Sequence, residues 1–178
     1  VVAAGLTWIG PSAEVIELMG RKDRAREVAA RAGVPVVPRF DPDNVLGDAY
    51  PVLVKAASGG GGKGMHMVRD AADLSGALAT AAREASKAFG DDTLLIERFV
   101  EGGRHIEVQV FGDGDGNVVH LFERDCSVQR RHQKILEEAP APNLDPTVRQ
   151  VVLDSAVALC REVGYVNAGT VEFLVRGT

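Results

Sequence analysis

This chain has no long apolar run, little cysteine and no excess of positive charge. No stretch approaches the roughly 20 apolar residues of a membrane-spanning helix, so no membrane contact is expected. The first residues do not read as a secretory signal, which needs a basic start and an apolar centre. Cys126 and Cys160 show no metal-ligand spacing. Reduced thiols of a cytoplasmic protein are the expectation. A net charge of −5 argues against a general nucleic-acid binder. The 178 residues suffice for one good domain or two small ones. Val1 is not Met and Thr178 follows closely on an apolar run, so both ends are expected to be those of a piece of something longer.

Glycine is the exception. The stretch Tyr50-Pro-Val-Leu-Val-Lys55 leads through Ser58 into Gly59 to Gly62, then Lys63, Gly64 and Met65. Val52 to Val54 read as a buried strand that delivers Lys55. Consecutive glycines lose much conformational freedom on ordering, and a core gains nothing from them. Phosphate oxygens do gain, because bare backbone N–H groups can close around them. A flexible hairpin tip is the plainer alternative. Three phosphate-loop patterns fit poorly. A dinucleotide fingerprint should open straight into a helix, yet Met65 to Arg69 reads as a strand. A P-loop needs Ser or Thr after its lysine, and Gly64 follows Lys63. The kinase glycine loop wants Val where His66 stands. A glycine flap between two strands remains.

Along the rest of the chain, Leu6 to Ile9 is a strand candidate, and Ser12 caps a helix. Arg21 to Ala32 is a second helix ending at Gly33, with Lys22 at its start. Asp70 or Asp73 caps an alanine-rich helix running to about Phe89. Leu94 to Ile96 is a strand carrying Glu97 and Arg98. From Arg104 to Val110 the pattern alternates, with Ile106, Val108 and Val110 on one face and His105, Glu107 and Gln109 on the other. The polar face either meets solvent or binds a ligand. Asn117 to Glu123 is the hairpin partner. Arg124 to Lys134 holds Arg124, Arg130, Arg131, His132 and Lys134 and reads as a fixed loop, whose cations repel unless something anionic sits among them. Asp145 caps a helix that has Pro146 first. In the strand Gly169 to Val175, Glu172 stands between Val171 and Phe173 and needs a partner, for which a metal is a good candidate.

Several of these stretches together resemble biotin carboxylase, the ATP-grasp component of biotin-dependent carboxylases. They are Gly20-Arg-Lys22, the Tyr50 to Met65 stretch, Arg104-His-Ile-Glu-Val-Gln109, Glu123-Arg-Asp-Cys-Ser-Val-Gln-Arg-Arg-His-Gln-Lys134 and Gly169-Thr-Val-Glu-Phe-Leu174. The resemblance implies an incomplete α+β ATP-grasp fold. Residues 1–35 would be the tail of an N-terminal nucleotide-fold domain, 36–100 a complete flap subdomain, and 101–178 the first part of a larger sheet subdomain. It implies ATP and Mg²⁺ (or Mn²⁺), with carrier-bound biotin as substrate. ATP would phosphorylate bicarbonate to carboxyphosphate, and biotin would then be carboxylated.

Roles follow from the same resemblance. Lys22 and Lys55 are expected at the ATP phosphates and base, with Gly61, Gly62 and Lys63 in the flap. Glu97, Arg98 and Val100 are expected on the hinge that reads the adenine edge. Met65, His105, Gln129, His132 and Leu174 are placed at the nucleotide. Gln129, His132 and Lys134 are the catalytic candidates, Lys134 as bicarbonate ligand. Glu172 is a magnesium ligand. Implied partners are a biotinylated carrier, a carboxyltransferase and, for the full-length protein, further copies of itself. The chain departs from the family in its short 39–49 loop. It also has no further strand carrying a Glu-x-Asn-x-Arg pattern, so it is expected not to carboxylate biotin alone. Another ATP-grasp carboxylate–amine ligase, or a non-catalytic nucleotide-binding fragment, are the alternatives.

Overall fold

A computed structural model describes residues 1–58 and 64–177. Two four-stranded antiparallel sheets carry the chemistry, and each is backed by one long helix. The chain enters through two helices, α1 (Ala13–Gly20) and α2 (Lys22–Arg31). The Ser12 hydroxyl accepts from the Val15 amide at 3.3 Å and starts α1.

The smaller sheet has the order β1-β4-β2-β3, from Arg39–Phe40, Leu94–Arg98, Val52–Ala56 and Met65–Val68. The glycine stretch joins β2 to β3, whose register runs from Val52 opposite Val68 to Lys55 opposite Met65. It therefore lies between two paired strands, as the sequence predicts. On β2, Val52, Val54 and Ala56 are buried, and Val52 and Val54 pack on α3 (Ala71–Phe89) through Leu74 and Ala81. Strand alternation then turns Leu53 and Lys55 the other way. Asp70 stands at the N-cap of α3, but its side chain makes no capping bond. Gly90, with φ +70°, closes the helix in a conformation that suits glycine.

The larger sheet has the order β7-β6-β5-β8, from Gln133–Glu138, Val118–Arg130, Arg104–Gly112 and Asn167–Val175. Ile106, Val108 and Val110 are buried against α4 (Pro146–Glu162), which brings Val152, Leu153, Ala156 and Cys160. Each such side chain contributes at most about 1.5–3 kcal/mol. A one-residue slip would expose all three. The register is thus fixed, and it sets His105, Glu107 and Gln109 on the opposite face. Asp145 caps α4 through bonds from the amides of Thr147 and Val148, at 2.8 and 3.2 Å.

Two expectations are corrected. Leu6 to Ile9 is not a strand. Leu6 and Ile9 are exposed, and a strand needs an edge to pair with, which no described residue offers here. Nor is Arg124 to Lys134 a loop. It completes β6, turns at Arg131 and His132, and begins β7, with Arg130 opposite Gln133. Both turn residues have positive φ, 53° and 64°, the conformation of a tight two-residue hairpin. Arginine and histidine are unusual there, so the sequence carries no turn signal.

Candidate active site

A cleft of about 630 Å³ opens between the two sheets, a size that suits a small-molecule ligand. Lys55, Met65, Glu97, Arg98 and Val100 line it from the smaller sheet and the segment that follows β4. His105, Gln129, His132, Lys134, Glu172 and Leu174 line it from the larger sheet. Residues far apart in the chain thus meet at one place. Lys22 stands beside the cleft, at the start of α2, and its amide donates to the Ala57 carbonyl at 3.0 Å. Burial and the neighbouring Lys55 charge pull its ammonium below the ordinary lysine range, against the attraction of Glu97. Gly61, Gly62 and Lys63 lie outside the described residues.

On the smaller-sheet wall, Glu97 is buried although charged. Its carboxylate takes Arg26 Nη1 at 2.7 Å and Lys55 Nζ at 2.5 Å. Arg26 also donates to the Val37 carbonyl. A carboxylate out of water needs such partners. The pairing also holds Lys55 against the cleft wall. Arg26 carried no sequence signal, because it meets Glu97 across 71 residues.

The larger-sheet wall is built on a pair of carboxylates. Glu107 of β5 and Glu172 of β8 are opposite in register. Lys134 reaches both: it bonds Glu107 and lies 3.4 Å from Glu172 Oε2. Arg124 Nε adds a second cation to Glu107 at 2.5 Å and lies 3.7 Å from Glu137. His105 Nδ1 donates to Glu172 Oε1 at 2.7 Å. That hydrogen bond, with the nearby charges of His105 and Lys134, holds the Glu172 carboxyl below the usual carboxylate range despite its partial burial. Burial disfavours the Lys134 ammonium, but its bond to Glu107 and the anionic neighbours hold it above the ordinary lysine value.

Arg124 and Lys134 therefore have protein carboxylates as partners. Glu107 is 2% exposed, so its part of the alternating face is not solvent-facing. Glu107 was legible in principle. The reasoning that a mid-strand carboxylate needs a partner applies to it as it does to Glu172. Cys126, also buried, lies with Glu107 and Glu172 so that their ligand atoms are within 4.8 Å of one another. Its thiol is pushed up, mainly by burial, and a protonated thiol is a poor ligand for a hard cation. Glu172, half-exposed at the cleft, offers the oxygen that magnesium prefers.

The family model for the carbamoyl-phosphate synthase L chain, ATP binding domain, matches residues 21–178. Pyruvate carboxylase of Bacillus subtilis (strain 168) is 49% identical over 180 residues, which cover 96% of this chain and 16% of that protein. The mitochondrial methylcrotonoyl-CoA carboxylase subunit alpha of Rattus norvegicus is 51% identical over 180 residues, covering 96% of this chain and 25% of the relative. Among solved structures, the biotin carboxylase–β,γ-ATP complex from Campylobacter jejuni superimposes with a TM-score of 0.93 at 46% identity, covering 98% of this chain and 41% of that one. The biotin carboxylase domain dimer of Hydrogenobacter thermophilus 2-oxoglutarate carboxylase, in complex with MgADP, ADP and bicarbonate, gives 0.87 at 47% identity, covering 97% and 40%. The chain thus spans well under half the length of each of these proteins.

Proposed function

The chain belongs to the family of the carbamoyl-phosphate synthase L chain, ATP binding domain, and from that premise we propose that it forms the ATP and bicarbonate site of a biotin carboxylase. The observation that carries the proposal is the cleft itself. Lys55 is set on one wall, Lys134 and Glu172 on the other, and the backbone matches the Campylobacter jejuni biotin carboxylase at a TM-score of 0.93.

In this reading the nucleotide lies along the smaller sheet. Residues 97–100 flank the adenine, and Lys55, fixed by Glu97, faces the phosphates. His105, Gln129 and His132 border the nucleotide from the larger sheet. Lys134 receives bicarbonate, and its positive charge offsets the acceptor's charge as a bicarbonate oxygen attacks the γ-phosphorus. A new P–O bond forms, the bond to the bridging oxygen breaks, and ADP leaves with that electron pair. Glu172 would hold magnesium, which supplies charge neutralisation at the phosphates when bound.

The activity is proposed for the protein in which this chain stands beside the remainder its relatives carry. A biotinylated carrier, a carboxyltransferase and further copies of the same protein are the partners, in the cytoplasm. The test is ATP hydrolysis by the full-length protein with magnesium, biotin and bicarbonate. Hydrolysis should require both bicarbonate and biotin, and Lys55→Met should reduce it at least about tenfold. Hydrolysis that needs an amine in place of bicarbonate would point to a carboxylate–amine ligase.

A further inference from the structure

His105 is held on its β6 side in an unusual way. Backbone pairing of β5 with β6 stops at Ile106 opposite Asp125. Beyond that point β6 bulges. It has one residue more than β7 between Asp125, opposite Glu138, and Val128, opposite Leu136. Bulges re-aim side chains near functional sites. Here the bulge carries Cys126 and Ser127, whose side chains take over the bonds that strand backbone would make. The Ser127 hydroxyl accepts from the His105 amide at 2.9 Å. The Cys126 thiol approaches the His105 carbonyl at 3.5 Å.

Ser127 is itself fixed. Its amide donates to Asp125 Oδ1 at 2.7 Å. Asp125 Oδ2 accepts from Arg104 Nε and Nη2, at 2.9 and 2.8 Å. Arg104 precedes His105, so the four residues close a ring of bonds around one backbone position. His105 then reaches Glu172 at 2.7 Å.

We propose that Ser127 is a positioning residue of the cleft. It fixes the His105 backbone and, through the imidazole, aims the Glu172 carboxylate. What Glu172 then holds rests on the functional reading above, whereas the bond from Ser127 to His105 does not.

The experiment compares the full-length protein with its Ser127→Ala and Ser127→Thr variants by two measurements. One is amide hydrogen exchange at His105, Ile106 and Val108. The other is the dissociation constant of ADP with and without magnesium. In Ser127→Ala, exchange at His105 should rise about tenfold or more while Ile106 and Val108 keep their protection. The gain in ADP affinity on adding magnesium should shrink severalfold. Ser127→Thr, which keeps the hydroxyl, should restore both. Three results would overturn the proposal: unchanged exchange at His105, equal acceleration along the whole strand, or failure of Thr to restore. If Ser127→Ala does not fold, Ser127→Cys, similar in size and a poor acceptor, takes its place. A wild-type protein that binds no nucleotide would sink the functional reading instead, and exchange at His105 would then decide the positioning claim alone.

Discussion

Glu107 and Glu172 face each other across β5 and β8, and Lys134 from β7 reaches both. Like charges directly opposite in a sheet are destabilising. The lysine, with Arg124 on Glu107 and His105 on Glu172, makes the arrangement tenable. An edge strand thereby places its cation above the centre of the sheet, at the wall of the cleft.

Replacing Lys134 by Gln should separate its two roles. Lys134 pairs with the buried Glu107, on which Arg124 remains, so the stability loss should be about 1–3 kcal/mol. Catalysis should suffer as well. The KM for bicarbonate should rise at least about tenfold, with the KM for ATP within about threefold of wild type. Steady-state kinetics at varied bicarbonate and ATP would check this. A raised ATP constant with unchanged bicarbonate dependence would move Lys134 to the nucleotide.

Arg26 should matter for folding although it is remote in sequence from the site. Arg26→Ala leaves the buried Glu97 carboxylate with Lys55 as its remaining ion-pair partner among the described residues. Breaking such a pair should cost about 2–4 kcal/mol. Urea unfolding would show it as a lower midpoint at unchanged slope. A midpoint equal to wild type would mean that Glu97 is served from elsewhere.

Asp91 offers a pH signature next to the glycine stretch. Hydrogen bonds from Ser58 and from Thr93, with the Arg21 charge, bring its carboxyl down to about 2 from an ordinary 3.8. A depressed carboxyl stabilises the fold above its unfolded value. That contribution should be full above about pH 4 and be lost as pH falls through 3.8 toward 2. Ser58→Ala removes the 2.6 Å bond. The Asp91 midpoint, followed by carboxyl ¹³C NMR, should then move up toward 3.8. An unmoved midpoint would show that Thr93 and Arg21 suffice.

Much of this was legible in the sequence where one element carries its own signal. Strand alternation gave the face of β5, the Asp145-Pro146 pair gave the start of α4, and the Glu123 to Lys134 block pointed to the family. Pairings between distant elements were not legible. Arg26 meets Glu97, and Glu107 meets both Lys134 and Arg124, only after the sheets form. The hairpin at Arg131 and His132 was hidden because its residues are not those that tight turns favour. Leu6 to Ile9 was misread because an apolar run becomes a strand only beside an edge. Local pattern records what a segment prefers, and partners decide what it becomes.

Bicarbonate is proposed as the phosphoryl acceptor in the cleft that Lys55 and Lys134 border. The most direct test is to supply the full-length protein with MgATP, biotin and ¹⁸O-labelled bicarbonate, and to weigh the released phosphate by mass spectrometry. If bicarbonate attacks the γ-phosphorus, each phosphate carries one oxygen derived from bicarbonate. Phosphate that carries its new oxygen from water instead would contradict the account.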